Sequence, residues 1–455
     1  MSSLLGTFSI ALQSLGATQG ALSATTDNIA NVNTPGFSRR RAVLTEEIPE
    51  VMQGITYGRG VRLDGIESVR DDMLELRLDA EAQQHGAAQA KVDALQPLDA
   101  LLSDLDNGLP SRLSDFFNSF TALASQPTSV PMRQSVLTAA ANLVNGFNQT
   151  SQKLTDMRGN LDYEVTQSVA DINQSVADIA RLNGEVTRIK GMGGDASTYE
   201  DERTTAVRNL SELADVAIVQ SDDGLTITTS RGTALVVGDK SYSLQASPDA
   251  DGHQRVLSGG TDITSEFSGG KLGAQLAVRD QDITSAITDL DGVAYALANA
   301  VNQANTDGFD LQGNHGSAFF SIDSSATGTA ASISLAISDP QAIAASSNGD
   351  NGSNGNVASL LAVQGAPLVN GQSAADLLSG ISFRVGSATS EAQAQVEASE
   401  SIQAQLENQR ADVSGVSLDE EAANLMRFQR AYQAAARVID TANQMLELAC
   451  NLGKE

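Results

Sequence analysis

Side chains able to carry catalysis or hold a metal are few and scattered in this sequence. The three histidines, His85, His253 and His315, lie far apart in unrelated contexts, and no His-Glu-x-x-His occurs. That spacing would place two imidazoles on one helix face, as a zinc site needs. Cys450 is the only cysteine. It has no partner thiol and no basic cluster to lower its pKa, so it reads as a spectator. The glycine-rich Tyr57-Gly-Arg-Gly-Val neither follows a clear strand nor opens a helix, as a dinucleotide loop would. Neither a phosphate-binding Gly-x-x-x-x-Gly-Lys nor a Gly-x-Ser-x-Gly elbow is present. Asp222 and Asp223 belong to a turn before Gly224. Asp419-Glu-Glu421 suits the first turn of a helix, where carboxylates meet the positive end of the dipole. The basic run Ser38-Arg-Arg-Arg41 reads as a solvated loop after a turn. These residues predict no catalytic centre, no metal site and no cofactor.

The chemistry is therefore expected in packing, and the last forty residues show it most clearly. Leu425, Phe428, Tyr432, Ala435, Ile439, Ala442, Leu446 and Ala449 recur at three- and four-residue steps. This is the seam of a coiled coil. Ser417 stands where it can cap the helix, with Glu420 three residues on. A narrow stripe of this length needs a partner, and the other end of the chain supplies one. Phe8, Leu12, Leu15, Leu22 and Ile29 repeat the same spacing until Asn31-Val-Asn-Thr-Pro-Gly-Phe37 stops the helix in a Pro-Gly turn. The pattern predicts that the two ends pair, parallel or antiparallel; each packing separately on a globular core is the plainer alternative.

A chain of 455 residues can hold about two to four domains. Its net charge is −28. That excess of acid disfavours nucleic acid and anionic membrane surfaces as partners. No run of apolar residues is long enough to span a bilayer. The first twenty residues carry no Lys or Arg and do not read as a secretory signal.

Between the ends, Arg41–Ile48 and Gly60–Val69 alternate as the arms of an extended hairpin around Gly54 and Gly58. A helix follows from Asp72 through Leu74, Leu78, His85, Ala88, Val92 and Leu95, with Pro97 expected to kink or break it and Asn107-Gly108 to stop the helical run. Phe116, Phe117 and Phe120 mark a short helix with its aromatic face in a core. The longest helix is expected from Ser129 to Gly191. Its stripe runs Val136, Ala140, Leu143, Phe147, Leu154, Met157, Leu161, then shifts by one position to Val165, Val169, Ile172, Val176 and Ile179, as in a stutter. An internal seven-residue repeat, Gln167-Ser-Val-Ala-Asp-Ile and Gln174-Ser-Val-Ala-Asp-Ile, lies in this tract. From Val216 to Gly270 the period falls to two, with hairpin turns at Asp223-Gly224 and Gly238-Asp239. Helix resumes at Lys271, and Ser346–Asn356 reads as a mobile loop. The expected fold is mainly α with a small all-β insert, elongated and multi-domain. Segments 1–45 and 410–455 form the inner coiled coil, 46–215 and 271–409 a helical rod, and 216–270 an outer β domain.

Two terminal stretches resemble a known family. Asn28-Ile-Ala-Asn-Val-Asn-Thr-Pro-Gly-Phe37 is similar to the N-terminal signature of bacterial flagellar axial proteins, the rod, hook and hook-associated proteins. Ser414-Gly-Val-Ser-Leu-Asp-Glu-Glu-Ala-Ala-Asn-Leu425, with Phe428-Gln-Arg-Ala-Tyr-Gln-Ala-Ala-Ala-Arg-Val-Ile439, resembles the C-terminal one. Interior stretches such as Leu113-Ser-Asp-Phe-Phe-Asn-Ser-Phe120 and Thr306-Asp-Gly-Phe-Asp-Leu-Gln-Gly-Asn314 agree with the hook-associated branch. Phe37 and Phe428 stand where that branch usually has Tyr, and the β insert leaves no room for the further outer domain of larger members. The resemblance implies a structural, non-enzymatic protein of the extracellular flagellum, assembled as a ring between hook and filament. It implies secretion by the flagellar type III export apparatus without a cleaved signal. The implied partners are further copies of the chain, hook protein, hook-associated protein 3 and an export chaperone at the C-terminal segment. It also implies that the terminal segments lack order in the monomer. The assembly interface would comprise Phe8, Leu12, Leu15, Leu22, Ile29, Asn31, Asn33, Pro35, Gly36, Phe37, Leu425, Phe428, Tyr432, Ile439 and Leu446. A secreted coiled-coil adhesin or type III effector with no axial role is the alternative.

Overall fold

The computed structural model describes residues 2–52, 55–104, 108–221 and 224–452. The expected turn residues Gly54, Asn107, Asp222 and Asp223 lie outside them, as do the side chains of Ala449 and Cys450. The chain opens with α1 (Ser2–Ala30) and a hairpin of β1 (Arg40–Glu46) with β4 (Val61–Ser68), whose tip is β2 (Glu50–Met52) and β3 (Ile55–Tyr57). Four helices follow: α2 (Asp72–Leu102), α3 (Leu109–Ser125), α4 (Val130–Gly191) and α5 (Ser197–Leu213). An antiparallel meander comprises β5 (Val216–Ser221), β6 (Gly224–Thr229), β7 (Ala234–Val237) and β8 (Lys240–Ser241); a second sheet comprises β9 (Leu244–Pro248), β10 (Gln254–Ser258) and β11 (Thr261–Asp262). Next come α6 (Gly270–Ala277), a π-helical turn over Val278–Ile283, and α7 (Thr284–Thr306). The remaining elements are β12 (Phe320–Ser321), α8 (Thr329–Ser332), β13 (Ser334–Leu335), α9 (Gly355–Ala362), α10 (Ala374–Ser414) and α11 (Leu418–Leu452). No helix among the described residues is long and apolar enough to cross a membrane. The chain is mainly α with small β sheets, as the periodicity predicts.

Local chemistry sets the helix ends. Asp71 caps α2 by accepting from the backbone N–H groups of Met73 and Leu74 at 3.0 and 3.2 Å. Ser373 and Asp376 form a reciprocal capping box at the start of α10. Pro97 does not break α2. It is exposed within the helix, flanked by the fully buried Leu95 and Leu98. Tertiary packing on both sides of the proline outweighs the one hydrogen bond that its ring removes.

At 62 residues α4 is about 93 Å long at 1.5 Å per residue, and it serves two separate apolar cores. Up to Leu161 its stripe packs on α3 and α7, in one core with α9 and the start of α10. There Phe116 meets Phe319 and Phe320, Phe120 meets Phe319, and Phe117 packs on Phe116, with ring centroids of the contacting pairs 5.0–6.1 Å apart. From Val165 onward the stripe packs with α5, α6 and the inward residues of the strands, Ile227, Leu235, Val236, Leu244 and Val256. The strands of 216–270 thus share a core with α4 and do not stand apart from it.

The shift in the stripe coincides with the change of core. A polar layer lies there. Asp162 accepts from Arg279 Nη1 at 2.7 Å and from the backbone N–H of Gln254 at 2.8 Å, and meets His253 Nδ1 at 3.2 Å. Ser168 donates to Gln275 Oε1 at 2.8 Å, and Gln275 donates to Glu164 at 3.1 Å. Arg279 belongs to the π-helical turn, so the α6–α7 tract departs from regular α spacing at the level where the apolar stripe of the continuous α4 shifts. Arg279 is almost fully enclosed. Removing one partner of such a pair strands the other charge, at roughly 3–5 kcal/mol. Arg279→Leu should therefore destabilise the protein strongly in chemical denaturation, and Asp162→Leu/Arg279→Leu should recover a large part of the loss. Equal stability of wild type and Arg279→Leu would show that the layer contributes nothing.

Candidate assembly interface

The two chain ends pair. The last turns of α1 and the first turns of α11 line one groove, through Ala21, Ala24, Thr25, Glu421, Asn424 and Phe428, and the helices remain in contact along their lengths. The pair is therefore antiparallel. The contact face on α11 follows the predicted seam: Ala435 and Ala442 are buried, and Leu425, Phe428, Ile439 and Leu446 are half-buried. Tyr432 is 37% exposed.

The face used on α1 is different from the one expected. Ala11, Ala17, Thr18, Ala21, Ala24, Thr25 and Asn28 are buried there. Phe8, Leu15, Leu22 and Ile29 are only half-buried, and Leu12 is 54% exposed. Small residues win this contact because α1 is pressed on two sides, by α11 and by the hairpin. A Cβ on Gly20 would come within 2.4 Å of a terminal methyl of Leu63 in β4, so any larger residue there would have to push that side chain aside. Leu12 is left facing outward, and α11 likewise exposes Met426, Val438, Met445 and Leu448.

The turn after α1 is built by its own polar residues. Asn31 donates to Asp27 O at 3.0 Å and accepts from Thr34 Oγ1 at 3.1 Å. Gly36 takes φ +80°, and a Cβ there would also approach Thr205 Oγ1 of α5 to 2.8 Å. Asn33, Thr34 and Pro35 are exposed, and the Phe37 ring lies beneath the Arg40 guanidinium, 5.1 Å from its centroid. Asn31, Gly36 and Phe37 thus make contacts within the chain, and Asn33 and Pro35 form the outer edge of the turn.

The basic run is not a solvated loop. Ser38 is fully buried, and its hydroxyl accepts from Arg70 Nε and Arg410 Nη2, both at 3.3 Å. Arg39 pairs with Glu420 and Glu421 of α11 at 2.8 Å each, while its backbone N–H donates to Ser414 O at 2.8 Å. Arg40 exchanges hydrogen bonds with Asn28 at 2.8 and 2.9 Å and pairs with Asp27 at 3.1 Å. Glu420 and Glu421 therefore do more than suit the helix dipole. Arg39, Arg40, Arg70, Arg208 and Arg410, with Glu75, Asp79, Asp201 and Glu421, are the site residues that the sequence reading missed. The surplus of arginine over lysine beside a buried serine was the available signal, but the carboxylate partners are hundreds of residues away in sequence.

Beneath Ser38, α5 and α10 meet on carboxylates of α2. Arg410 of α10 donates to Gly36 O at 3.0 Å and to Glu75 at 2.7 Å; Arg208 of α5 donates to Glu75 and stands 3.5 Å from Asp79. Arg70 pairs with Asp201 of α5. Burial pushes the Asp79 carboxyl up to about 7; the Glu75 charge adds to this, and Arg208 opposes both. Burial likewise raises Asp201, with Arg70 opposing.

Fold and site together define a rod of long helices whose two ends return to one point and pair. Three family profiles match. The flagellar hook-associated protein FlgK helical domain covers residues 95–320, the flagellar basal body rod FlgEFG protein C-terminal region 407–452, and the flagella basal body rod protein 9–37. Flagellar hook-associated protein 1 of Escherichia coli K12 is 27% identical across 99% of this chain and 100% of its own length. That alignment runs over 549 positions against a chain of 455, so the relative has residues that this chain lacks. The protein of the same name from Bacillus subtilis is 27% identical over 97% of each. The flagellar hook junction protein FlgK from Burkholderia pseudomallei shares the fold, with a TM-score of 0.68 at 16% identity over 74% of this chain and 100% of that one. The chain belongs to the flagellar hook-associated protein 1 family and is a structural component of the bacterial flagellum.

The raised Asp79 gives this joint a pH signature. A carboxyl that holds its proton more tightly folded than unfolded weakens the fold above about pH 7, and that penalty fades as the pH falls toward 3.8. Asp79→Asn should accordingly gain on wild type in melting temperature between mildly acidic and mildly alkaline buffer. A constant gap would mean that Asp79 stays ionised throughout.

Proposed function

We propose that this chain assembles with copies of itself into a ring between hook and filament, bounded by hook protein on one side and hook-associated protein 3 on the other. The observation that carries this reading is the terminal pair. It closes on small residues and leaves Leu12, Met426, Val438, Met445 and Leu448 exposed, with Phe8, Leu15, Leu22 and Ile29 half-covered. Apolar faces on both helices of one pair suit contact with neighbouring pairs in a tube. In the proposed tube, segments 1–45 and 410–455 form the innermost layer, the rod of 46–215 and 271–409 surrounds them, and 216–270 lies outermost. Assembly calls for no catalysis. The chain reaches its place outside the cell through the flagellar type III export apparatus, its C-terminal segment held until then by an export chaperone.

The test separates assembly from folding. Leu12→Asp with Met426→Asp changes two exposed positions, where substitutions alter stability by no more than about 0.5 kcal/mol. The purified variant should melt with wild type yet fail to cap isolated hooks or to restore motility in a strain lacking the protein. Ala435→Asp, inside the intramolecular contact, should lower the melting temperature as well. Normal capping by the exposed double variant would overturn the proposed interface.

A further inference from the structure

The sequence contains seven Asn-Gly pairs, and three of them fall within Asn348–Gly355. In such a pair the glycine backbone nitrogen can attack the asparagine side-chain amide carbon, because no Cβ shields it. Asn107 lies outside the described residues, and the structure separates the other six pairs sharply. Asn183 is buried in α4, with its amide donating to Leu225 O and Gly238 O at 2.8 Å each. Asn145 also lies within α4, where the following N–H belongs to the helix. Asn348 is held on every side. Its amide donates to Asp350 at 2.7 Å, its carbonyl accepts from Ser346 Oγ at 3.1 Å, and the N–H of Gly349 is engaged by Ser346 Oγ at 3.0 Å. Asn354 donates to Ala124 O at 2.8 Å and stands at the start of α9, with Gly355 packed against Ser347. Asn370 sits at φ +51° in a two-residue turn closed by Gln372 N to Val369 O and Leu368 N to Gln372 O, both 2.9 Å.

Asn351 differs. It is exposed and lies in a turn closed by one bond, Ser353 N to Asp350 O at 3.1 Å, with Gly352 at φ +96°. We propose that Asn351 is a site of spontaneous covalent modification, converting to aspartyl and isoaspartyl through a cyclic imide closed by the Gly352 nitrogen. The Gly352 nitrogen bonds to Cγ, and the side-chain nitrogen leaves as ammonia, taking up the proton that the Gly352 nitrogen gives up through solvent. One water then opens the ring at either carbonyl. The product carries one more negative charge, and the isoaspartyl form adds a methylene to the backbone of a loop tied to the end of α3 by Asn354.

The test uses the full chain, incubated at mildly alkaline pH and physiological temperature and mapped by peptide mass spectrometry. Asn351 should convert several-fold faster than Asn370, while Asn145, Asn183, Asn348 and Asn354 stay intact over the same period. Ser346→Ala removes the hydroxyl that engages Gly349 and should bring Asn348 into the reactive set, with melting unchanged beyond a small shift. Conversion of Asn348 or Asn354 in the wild type at the rate of Asn351, or an intact Asn351, would overturn the proposal.

Discussion

The whole arrangement depends on the enclosure of Ser38 by Arg70 and Arg410. Through these two arginines a turn next to the N-terminal helix is held to α2, α5 and α10 at once. The guanidinium groups have the geometry for this work. Each is a planar fork of donors that stays charged when partly buried, so one side chain can satisfy a backbone carbonyl, a hydroxyl and a carboxylate together. Arg410 does so with Gly36 O, Ser38 Oγ and Glu75. A lysine in its place would offer a point charge without the fork. Because buried ion pairs often do no more than offset their own desolvation, the joint is better understood as fixing an orientation than as a reservoir of stability.

The rod divides by the same logic. Its two apolar cores are each close-packed, and a layer of Asp162, Glu164, Ser168, Gln275 and Arg279 stands between them. Polar groups in such a layer accept few arrangements, since any shift leaves a donor or acceptor without a partner. The layer thereby sets the rotation of α4 relative to the π-helical turn, as the Ser38 joint sets the terminal pair relative to the rod. Two polar joints, one at the base of the rod and one within it, fix the relative placement of three apolar bodies.

Much of this was legible in the sequence, and the exceptions have a common cause. The stripe of α4, its shift at Val165 and the α11 seam are repeated patterns, and repetition survives reading without coordinates. The hairpin of β1 and β4 and the meander from Val216 were visible through period two and their turns. What escaped were single residues whose meaning lies in a distant partner. Arg39 is separated from Glu421 by 382 positions, and Arg410 from Glu75 by 335. Pro97 does not end α2, because local propensity counts against it while its packing neighbours decide whether the helix continues. On α1 the larger apolar residues drew the seam toward Leu12 and Leu15, whereas the structure buries the alanines.

That last difference bears on how the ends behave. A buried leucine contributes roughly 1.5–3 kcal/mol, and an alanine methyl about 0.8 kcal/mol at most. A contact whose buried apolar residues are Ala11, Ala17, Ala21 and Ala24 on α1 and Ala435 and Ala442 on α11, with the larger seam residues of α11 only half-buried, therefore gains little for the two helices it orders. Ordering a residue costs about 1–2 kcal/mol in backbone entropy alone, so helices of 29 and 35 residues draw only part of what they need from each other. Close approach of small residues does something else well: it makes a slim, straight pair whose larger side chains remain available outside. A pair built the opposite way, with its leucines spent on the internal seam, would be stable alone and would present a polar surface to its neighbours. The residue choice on α1 favours a pair completed by what surrounds it, and the arginine joint at Ser38 ensures that the pair is held at the end of the rod where those surroundings must form.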